Sequence, residues 1–349
     1  MKRHTAKWKR YLEWQRFIKR IRTCRNYIEQ LRARERRGIR LNKKSKQKST
    51  FQENESPTVV LTAPSVFDLR SNREEMLSFY DQLRNTIASQ RKCLIRMEDV
   101  SVVTVGSMLY LVAILRDDAQ SKINVSGTIP RDTKCVSIIQ ASGFYDFVHT
   151  DRYVKVSSES KIAKIEVHKK HDTNAITELC QFSCDCLGTS LATDAAPLYA
   201  TLSELVQNTI GHAYKKTAKG GKWYVAAQYM QDDGEVEVTF LDTGEGIPNT
   251  VKRRFYEVPV IPFVGKDESL ILSALKGELR TSTGLSYRGK GLPEIYNYFL
   301  NGDICKLAIA SGKGFIDMSE PIHLKNEFFG TLFSFRVTGD ASERTLRRN

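Results

Sequence analysis

Two polar residues on one segment form the first group in the chain that could do chemistry. The apolar positions between Leu202 and Ile210 recur at helical spacing, which predicts a helix. Glu204 and Asn208 stand four residues apart in it and therefore share a face. A carboxylate beside an amide oxygen could polarise water and hold Mg²⁺, an ion that takes few protein ligands and keeps several waters. An ordinary surface pair on an amphipathic helix is the alternative.

A glycine-containing turn after a strand forms the second group. Residues 235–241 alternate polar and apolar side chains, which predicts a half-buried strand that runs into Asp242. The sequence from there to Ile247 contains Gly244 and Gly246, which permit a tight turn with close approach of the backbone. An aspartate held at this strand end could accept a hydrogen bond from an exocyclic amine. A simple turn of the Asp-Gly type is the alternative.

A glycine cluster before a helix forms the third group. Gly289 and Gly291 flank Lys290, and Leu292 begins a predicted helix that extends to Leu300. Backbone N–H groups and the helix dipole can bind phosphate at such a helix N-terminus. The spacing matches neither the Walker pattern nor the dinucleotide-binding pattern, so those two phosphate-binding schemes are disfavoured.

Together with Gly330–Thr331, these groups resemble the N box and the three glycine boxes of the GHKL ATPase superfamily, which includes gyrase, histidine kinases and MutL. The similarity is closest to the histidine-kinase and anti-sigma-factor branch, and it covers residues 173–337. The resemblance implies a nucleotide-binding domain that takes ATP and Mg²⁺ as cofactors. It also implies that residues 250–287 correspond to the family's mobile lid over ATP.

The resemblance assigns a role to each matching position. It implies that Glu204 is the general base, Asn208 the magnesium ligand and Asp242 the aspartate that binds adenine. The other positions implied to contact the nucleotide are Gly244, Gly246, Ile247, Gly289, Lys290, Gly291, Leu292 and Thr331. Pro293 departs from the glycine that the family often has there, although proline is acceptable at a helix start.

The order of the predicted elements indicates an α/β protein with several segments. We expect a basic helical arm in residues 1–41, a linker in 42–57, a small α/β domain in 58–150, a bridge in 151–172, an ATPase domain in 173–339 and a tail in 340–349. The ATPase domain is expected to be a Bergerat-type α/β sandwich, in which a mixed sheet carries helices on one face.

The small α/β domain alternates short strands and helices and contains no acid pair, nucleophile triad or phosphate loop. Residues 95–98, 105–115 and 142–144 resemble, in layout more than in sequence, the STAS domains of anti-sigma-factor antagonists. In that family the partner ATPase can phosphorylate a serine. Ser101 and Ser107 lie near the matching place.

Positive charge is concentrated at the N-terminus. Residues 1–48 hold 19 Lys or Arg and 3 Glu, whereas the other 301 residues sum to −2. The competing interpretations are docking on a protein partner or a second copy of the chain, phosphate contacts with nucleic acid, and attachment to an anionic membrane surface. A helix that packs on its own protein is the remaining alternative.

Cysteine usage and hydropathy bear on the compartment. Seven cysteines without a framework spacing, no signal peptide and no apolar run of membrane-spanning length predict a cytoplasmic protein without a transmembrane segment. Cys180, Cys184 and Cys186 lie close together but lack paired Cys-x-x-Cys spacing. Buried or surface thiols are therefore favoured over a zinc site.

The leading hypothesis is a magnesium-dependent enzyme that hydrolyses ATP or transfers its phosphoryl group and regulates a partner through the lid. A serine protein kinase of the anti-sigma-factor type is one alternative, and a nucleotide-gated interaction module with little turnover is another. A histidine kinase is disfavoured, because no acceptor histidine lies on a predicted helical hairpin before the ATPase domain.

Overall fold

The computed structural model of the protein describes residues 58–116, 125–148, 161–212, 221–256, 265–278 and 291–339. All of these residues belong to one compact unit, Ser56–Asn349. The predicted basic arm, the linker and the tail lie outside the described residues, as do Gly289 and Lys290.

The first part of this unit is a small layer of parallel strands and helices. Its elements are β1 (Val59–Thr62), β2 (Val66–Phe67), α1 (Arg73–Ala88), β3 (Cys93–Arg96), β4 (Val102–Val103), α2 (Val105–Leu115), β5 (Val125–Gly127), α3 (Thr133–Ala141) and a single 3₁₀ turn (Phe144–Asp146). Strands β1, β3 and β5 form a parallel sheet in the order β1-β3-β5, and β2 pairs with β4 in parallel. The predicted alternation of short strands and helices is confirmed.

The second part is built on a five-stranded sheet. Its elements are β6 (Ile162–His168), α4 (Thr173–Leu187), α5 (Leu191–Asp194), α6 (Ala196–His212), β7 (Trp223–Met230), β8 (Glu235–Asp242), α7 (Ile247–Tyr256), α8 (Asp267–Leu275), α9 (Gly291–Leu300), β9 (Cys305–Asp317) and β10 (Glu320–Thr338). The strand order is β6-β7-β8-β10-β9, and every pairing between these strands is antiparallel. The prediction of a mixed sheet was therefore wrong for the described strands, although the α/β class is confirmed.

Helices cover both faces of this sheet. The helices of residues 173–339 pack on one face, as predicted for this domain, and α1 and α2 of the small parallel layer cover the other face, which was not predicted. Trp223 and Val225 point into a core that they share with α4, α6 and α9. Tyr224 and Ala226, which alternate with them along β7, point into a second core shared with α1 and α2. Strands buried on both faces consist of nearly continuous apolar residues rather than alternating ones, as β7 does.

Helix α2 explains why the second face is covered. Every residue from Val105 to Ile114 except the half-buried Gly106 is buried, so this helix is apolar on all sides. Gly106 lets the helix approach β8 closely, because a Cβ added there would lie 2.9 Å from the Thr239 hydroxyl oxygen. A helix of this composition is stable only when other elements surround it. Here it is packed between the small parallel layer and the five-stranded sheet.

The two serines singled out in the small layer have different environments. Ser107 is buried, and its hydroxyl accepts a hydrogen bond of 2.9 Å from the Leu69 N–H. Ser101 is exposed, and its hydroxyl lies 3.3 Å from the Ser65 carbonyl oxygen. Of these two, only Ser101 is accessible to a kinase in this structure.

Part of the segment implied to be a lid belongs to the core. Helix α8 buries Leu270, Ile271 and Leu275, because these apolar residues recur at helical spacing on its inner face. Asp267 at its start receives a hydrogen bond from the Lys313 N–H and forms a 2.7 Å ion pair with Lys252 of α7. Within residues 250–287, α8 is therefore fixed to the sheet. Residues 257–264 and 279–287 lie outside the described chain.

Candidate functional site

Helix α6 presents Glu204 and Asn208 at the edge of a core. Leu202, Leu205 and Val206 of the same helix are buried against the sheet, which fixes the rotation of the helix about its axis. Glu204 and Asn208 are both half-buried and lie on one side of it, as their spacing predicted.

The N-terminus of α9 lies directly against this pair. A Cβ added at Gly291 would lie 2.3 Å from Oε2 of Glu204 and 3.3 Å from Nδ2 of Asn208. Because the nearest atom is the end of the flexible Glu204 side chain, a larger residue at Gly291 would displace the Glu204 carboxylate from this position. The structure thus brings the first and third sequence groups together, with the start of a helix facing a carboxylate and an amide.

Two observations show that this cluster is polar and partly shielded from water. The Nδ2 atom of Asn208 is buried and has no hydrogen-bond partner among the described residues. Burial raises the pKa of the Glu204 carboxyl above its ordinary value, and the neighbouring carboxylate of Glu294 raises it further. Buried polar atoms without partners are few in native proteins, and each calls for an explanation such as a bound ligand, ion or water.

Glu294 is a residue of this cluster that sequence reasoning missed. It lies in the first turn of α9, where its Oε1 accepts a hydrogen bond of 3.2 Å from the Tyr298 hydroxyl. Its position three residues after Gly291 was visible in the sequence. Nothing in the sequence showed, however, that α9 would place it near Glu204.

A second cluster surrounds Asp242 at the end of β8. Asp242 is buried, and its Oδ1 accepts a hydrogen bond of 2.8 Å from the Gly244 N–H. Thr331 pairs with Asp242 across the neighbouring strand β10, and its hydroxyl donates a hydrogen bond to the carboxylate. Burial raises the pKa of Asp242 to about 7, and these two hydrogen bonds oppose the shift without cancelling it.

Ser311 holds this cluster together, and it too was missed from the sequence. Its buried hydroxyl accepts a hydrogen bond of 2.9 Å from the Ile247 N–H and donates one of 2.9 Å to the Gly330 carbonyl. Gly246 passes so close that an added Cβ would lie 2.8 Å from the Ser311 oxygen. One hydroxyl therefore joins the turn after β8 to strand β10. Ser311 lies between two apolar stretches of β9, and only the sheet pairing reveals its role.

Two glycines make this approach sterically feasible. Gly246 has a φ of +83° and Gly330 a φ of +88°, in the left-handed region that favours glycine. A Cβ added at Gly330 would lie 2.0 Å from the Asp242 carbonyl oxygen. The backbone of β10 is thus packed against Asp242 at a distance that other residues do not permit.

The predicted site residues fall into these two clusters. Glu204, Asn208 and Gly291 form one cluster. Asp242, Gly244, Gly246, Ile247 and Thr331 form the other. Ile247 and the half-buried Leu292 pack against the same apolar core, so both clusters border it. The described residues do not include Gly289 and Lys290, whose assignment stays a prediction.

The region of the clustered cysteines is apolar. Cys180 and Cys184 are buried on the inner face of α4, and burial raises the pKa of the Cys180 thiol to about 12. Across the described part of the chain, no group of three or more His, Cys, Asp or Glu side chains is placed to hold a metal ion.

A groove of about 570 Å³ lies away from both clusters. It is lined by Thr62, Ala63 and Pro64 after β1, Glu74, Glu75, Ser78, Phe79 and Gln82 of α1, and Lys325 and Asn326 of β10. None of the predicted site residues lines it. We therefore place the candidate site at the two clusters instead.

No protein-family model matches the chain, and a search of curated proteins finds no significant match. Among the helices that the structure describes, none has the length and apolar character needed to cross a membrane. The chain is an α/β protein with two polar clusters beside one core, and its function is inferred from those clusters.

Proposed function

We propose that the chain is a magnesium-dependent ATP-binding protein that hydrolyses ATP or transfers its phosphoryl group and thereby regulates a partner. The observation that carries this proposal is the convergence of four distant sequence groups into two clusters. Gly291 is packed against Glu204 and Asn208, and Gly330–Thr331 is packed against Asp242. At both contacts a residue larger than glycine would displace a group of the cluster, namely the Glu204 carboxylate at Gly291 and the Asp242 backbone at Gly330.

The Asp242 cluster has the chemistry to hold a nucleobase. A buried carboxylate at a strand end can accept a hydrogen bond from an exocyclic amine, and a base adds apolar contact area. Gly244 has no side chain, so a planar ring could approach the backbone there, and Gly246 lets the same turn pack against Ser311. Thr331, the partner of Asp242 in β10, favours the charged form of this carboxylate. Adenine carries such an amine, and we assign this end of the site to it.

The Glu204 cluster has the chemistry to hold phosphate. Gly291 begins α9, and backbone N–H groups at a helix N-terminus bind anions. The amide of Asn208 would hold Mg²⁺ through its oxygen, and the ion when bound would neutralise phosphate charge. Glu204 would orient and deprotonate the attacking group, since its raised pKa makes it a stronger base. Gly289 and Lys290 are expected to complete the phosphate contacts.

One observation favours the alternative of a nucleotide-gated module with little turnover. Glu294 places a second carboxylate beside Glu204, in the first turn of the helix that would face phosphate. A like charge there opposes the approach of anionic phosphate and would slow the chemical step unless a cation is present. ATP would then act mainly by changing how the protein meets a partner, and a ligand can do so only through its differential affinity for two states.

Partners beyond the nucleotide stay predictions from the sequence. We expect a protein partner or a second copy of the chain, and residues 1–48 could instead contact nucleic acid. From the cysteine usage we also expect a cytoplasmic location.

Turnover of labelled ATP tests the proposal. Native protein, Glu204→Gln and Asp242→Asn are incubated with γ-labelled ATP and Mg²⁺, and free phosphate and protein-bound label are measured separately. Glu178→Gln, a change at an exposed position on α4, is the control for loss of a carboxylate. Phosphate release that disappears in the two site variants and persists in the control would support an ATPase.

The other outcomes assign the alternatives. Label on the protein, or on an added partner, would support a protein kinase. Binding of ATP by the native protein without either product would support the nucleotide-gated module. Absence of ATP binding by the folded native protein would overturn the proposal.

A further inference from the structure

The strand that carries Gly330 and Thr331 is irregular just before these residues. The register between β10 and β9 shifts between His323 and Phe328, and again between Phe328 and Thr331. On the other side, Thr331 and Asp242 form the first pair between β10 and β8, so residues 328–330 have no partner in β8. The backbone that leads into the site therefore lacks a regular ladder on either side, and something else must fix it.

Tyr110 of helix α2 makes that contact. Its ring stacks on Phe328, with 4.2 Å between ring centroids and an interplanar angle of 21°. Its hydroxyl accepts a hydrogen bond of 3.2 Å from the Phe329 N–H. The guanidinium of Arg84, from α1, lies over the ring of Phe329. Two helices of the small parallel layer thus hold the irregular part of β10 by its rings and by its backbone.

The held segment ends at the candidate site without an intervening loop. Gly330 follows Phe329 directly, lies against the Asp242 carbonyl and accepts the hydrogen bond from Ser311. Thr331 comes next and donates to the Asp242 carboxylate. A displacement of Phe328 or Phe329 would therefore move groups that contact Asp242, because only one or two peptide units separate them.

We propose that Tyr110 is a positioning residue of the site, through which the small parallel layer holds Gly330 and Thr331 against Asp242. This inference rests on the proposed function only in naming the ligand as ATP. It assigns to residues 58–148 a part in nucleotide affinity that no sequence motif in them indicates. The layer acts through the fixed position of β10, and no residue of it needs to touch the nucleotide.

Tyr80 provides a matched control for Tyr110. Both tyrosines are buried in the same core, and their rings meet edge to face with centroids 4.8 Å apart. The Tyr80 hydroxyl donates a hydrogen bond of 2.8 Å to the Ser107 carbonyl of α2, and so its bond stays within the small layer. Tyr80→Phe and Tyr110→Phe each remove one buried hydroxyl, but only the second removes a bond to β10.

The first experiment compares nucleotide affinity in the two variants. A fluorescent non-hydrolysable ATP analogue is titrated with Mg²⁺ into native protein, Tyr110→Phe and Tyr80→Phe, after urea unfolding has shown that both variants are folded. We expect the dissociation constant to rise about fivefold in Tyr110→Phe, the factor that corresponds to about one hydrogen bond. In Tyr80→Phe it should stay within about twofold of native. Equal dissociation constants in the two variants would overturn the proposal.

The second experiment needs no nucleotide. Hydrogen exchange followed by mass spectrometry compares peptides covering residues 326–333 and 240–247 in the three proteins. We expect faster exchange in both segments in Tyr110→Phe and in neither in Tyr80→Phe. Faster exchange in 326–333 alone would overturn the proposal, since the contact would then be local packing. If the native protein binds no ATP, the proposed function fails, and this exchange pattern still decides whether Tyr110 positions the Asp242 cluster.

Discussion

Replacement of Asp242 by asparagine should change how the stability of the protein depends on pH. Burial raises the pKa of the Asp242 carboxyl to about 7, from an ordinary value of 3.8. The folded protein therefore binds this proton more tightly than the unfolded chain does. Native protein should lose stability as the pH rises from about 4 to about 7, because the buried carboxyl must ionise. A gap of about three pKa units corresponds to about 4 kcal/mol, which is an upper limit for the effect.

Asparagine does not titrate, so the variant should lack this loss. We expect the free energy of unfolding of Asp242→Asn, relative to native, to increase between pH 4 and pH 7 and to level off above about pH 8. Urea unfolding, followed by intrinsic fluorescence at half-unit steps of pH, measures that difference. Asp232→Asn, at an exposed position in the turn between β7 and β8, is the control. A difference that stays constant over this range would refute the assignment of Asp242 as a buried carboxyl with a raised pKa.

Further predictions concern the two clusters and their glycines. Gly291→Ala should lower ATP turnover by at least about tenfold, because the added methyl would lie 2.3 Å from Oε2 of Glu204 and displace this oxygen. Gly211→Ala is the control and should leave turnover unchanged, because a Cβ at Gly211 meets nothing within 4 Å. Ser311→Ala should lower the free energy of unfolding by about 1–3 kcal/mol in urea titrations, because it leaves the Ile247 N–H and the Gly330 carbonyl without their partner. ATP binding near pH 6 should release a proton, because the carboxyl of Asp242 is mostly protonated at this pH and must ionise to accept the hydrogen bond from the base amine. Calorimetry in buffers of different ionisation enthalpy measures this release, and Asp242→Asn should abolish it.

Local sequence signals predicted most of the elements that carry the clusters. The alternation in residues 235–241 and the turn residues Asp232-Asp233-Gly234 before it are typical of a hairpin, and β7 and β8 pair in that way, with a φ of +64° at Gly234. The apolar spacing in α6 placed Glu204 and Asn208 on one side of a helix. These signals are local, so a single sequence contains them.

Strand lengths in the second half were harder to predict, because glycine has two uses there. Gly312 and Gly314 interrupt an apolar run, a pattern that favours separate strands in residues 305–311 and 315–318, yet β9 is continuous from Cys305 to Asp317. Gly314 leaves room for α8, because a Cβ there would lie 2.6 Å from the Glu268 backbone nitrogen. A glycine that permits close packing and a glycine that ends a strand look alike in sequence.

The residues that support the site were missed for a related reason. Ser311, Glu294 and Tyr110 act through contacts between elements that are distant in the chain, for example 219 positions between Tyr110 and Phe329. A serine in an apolar strand or a tyrosine in an apolar helix carries no motif. Their roles follow from strand register and helix packing, which the sequence does not specify locally.

Equilibrium binding of ATP tests the central claim most directly. Isothermal titration calorimetry with Mg²⁺ and a non-hydrolysable ATP analogue should give one saturable site in native protein and in Glu178→Gln, and a dissociation constant more than about tenfold higher in Asp242→Asn. The guanine counterpart of the analogue should bind the native protein at least about tenfold more weakly, because guanine lacks the exocyclic amine at the position that adenine presents to Asp242. Equal binding of both analogues, or binding that persists unchanged in Asp242→Asn, would contradict the assignment of the site.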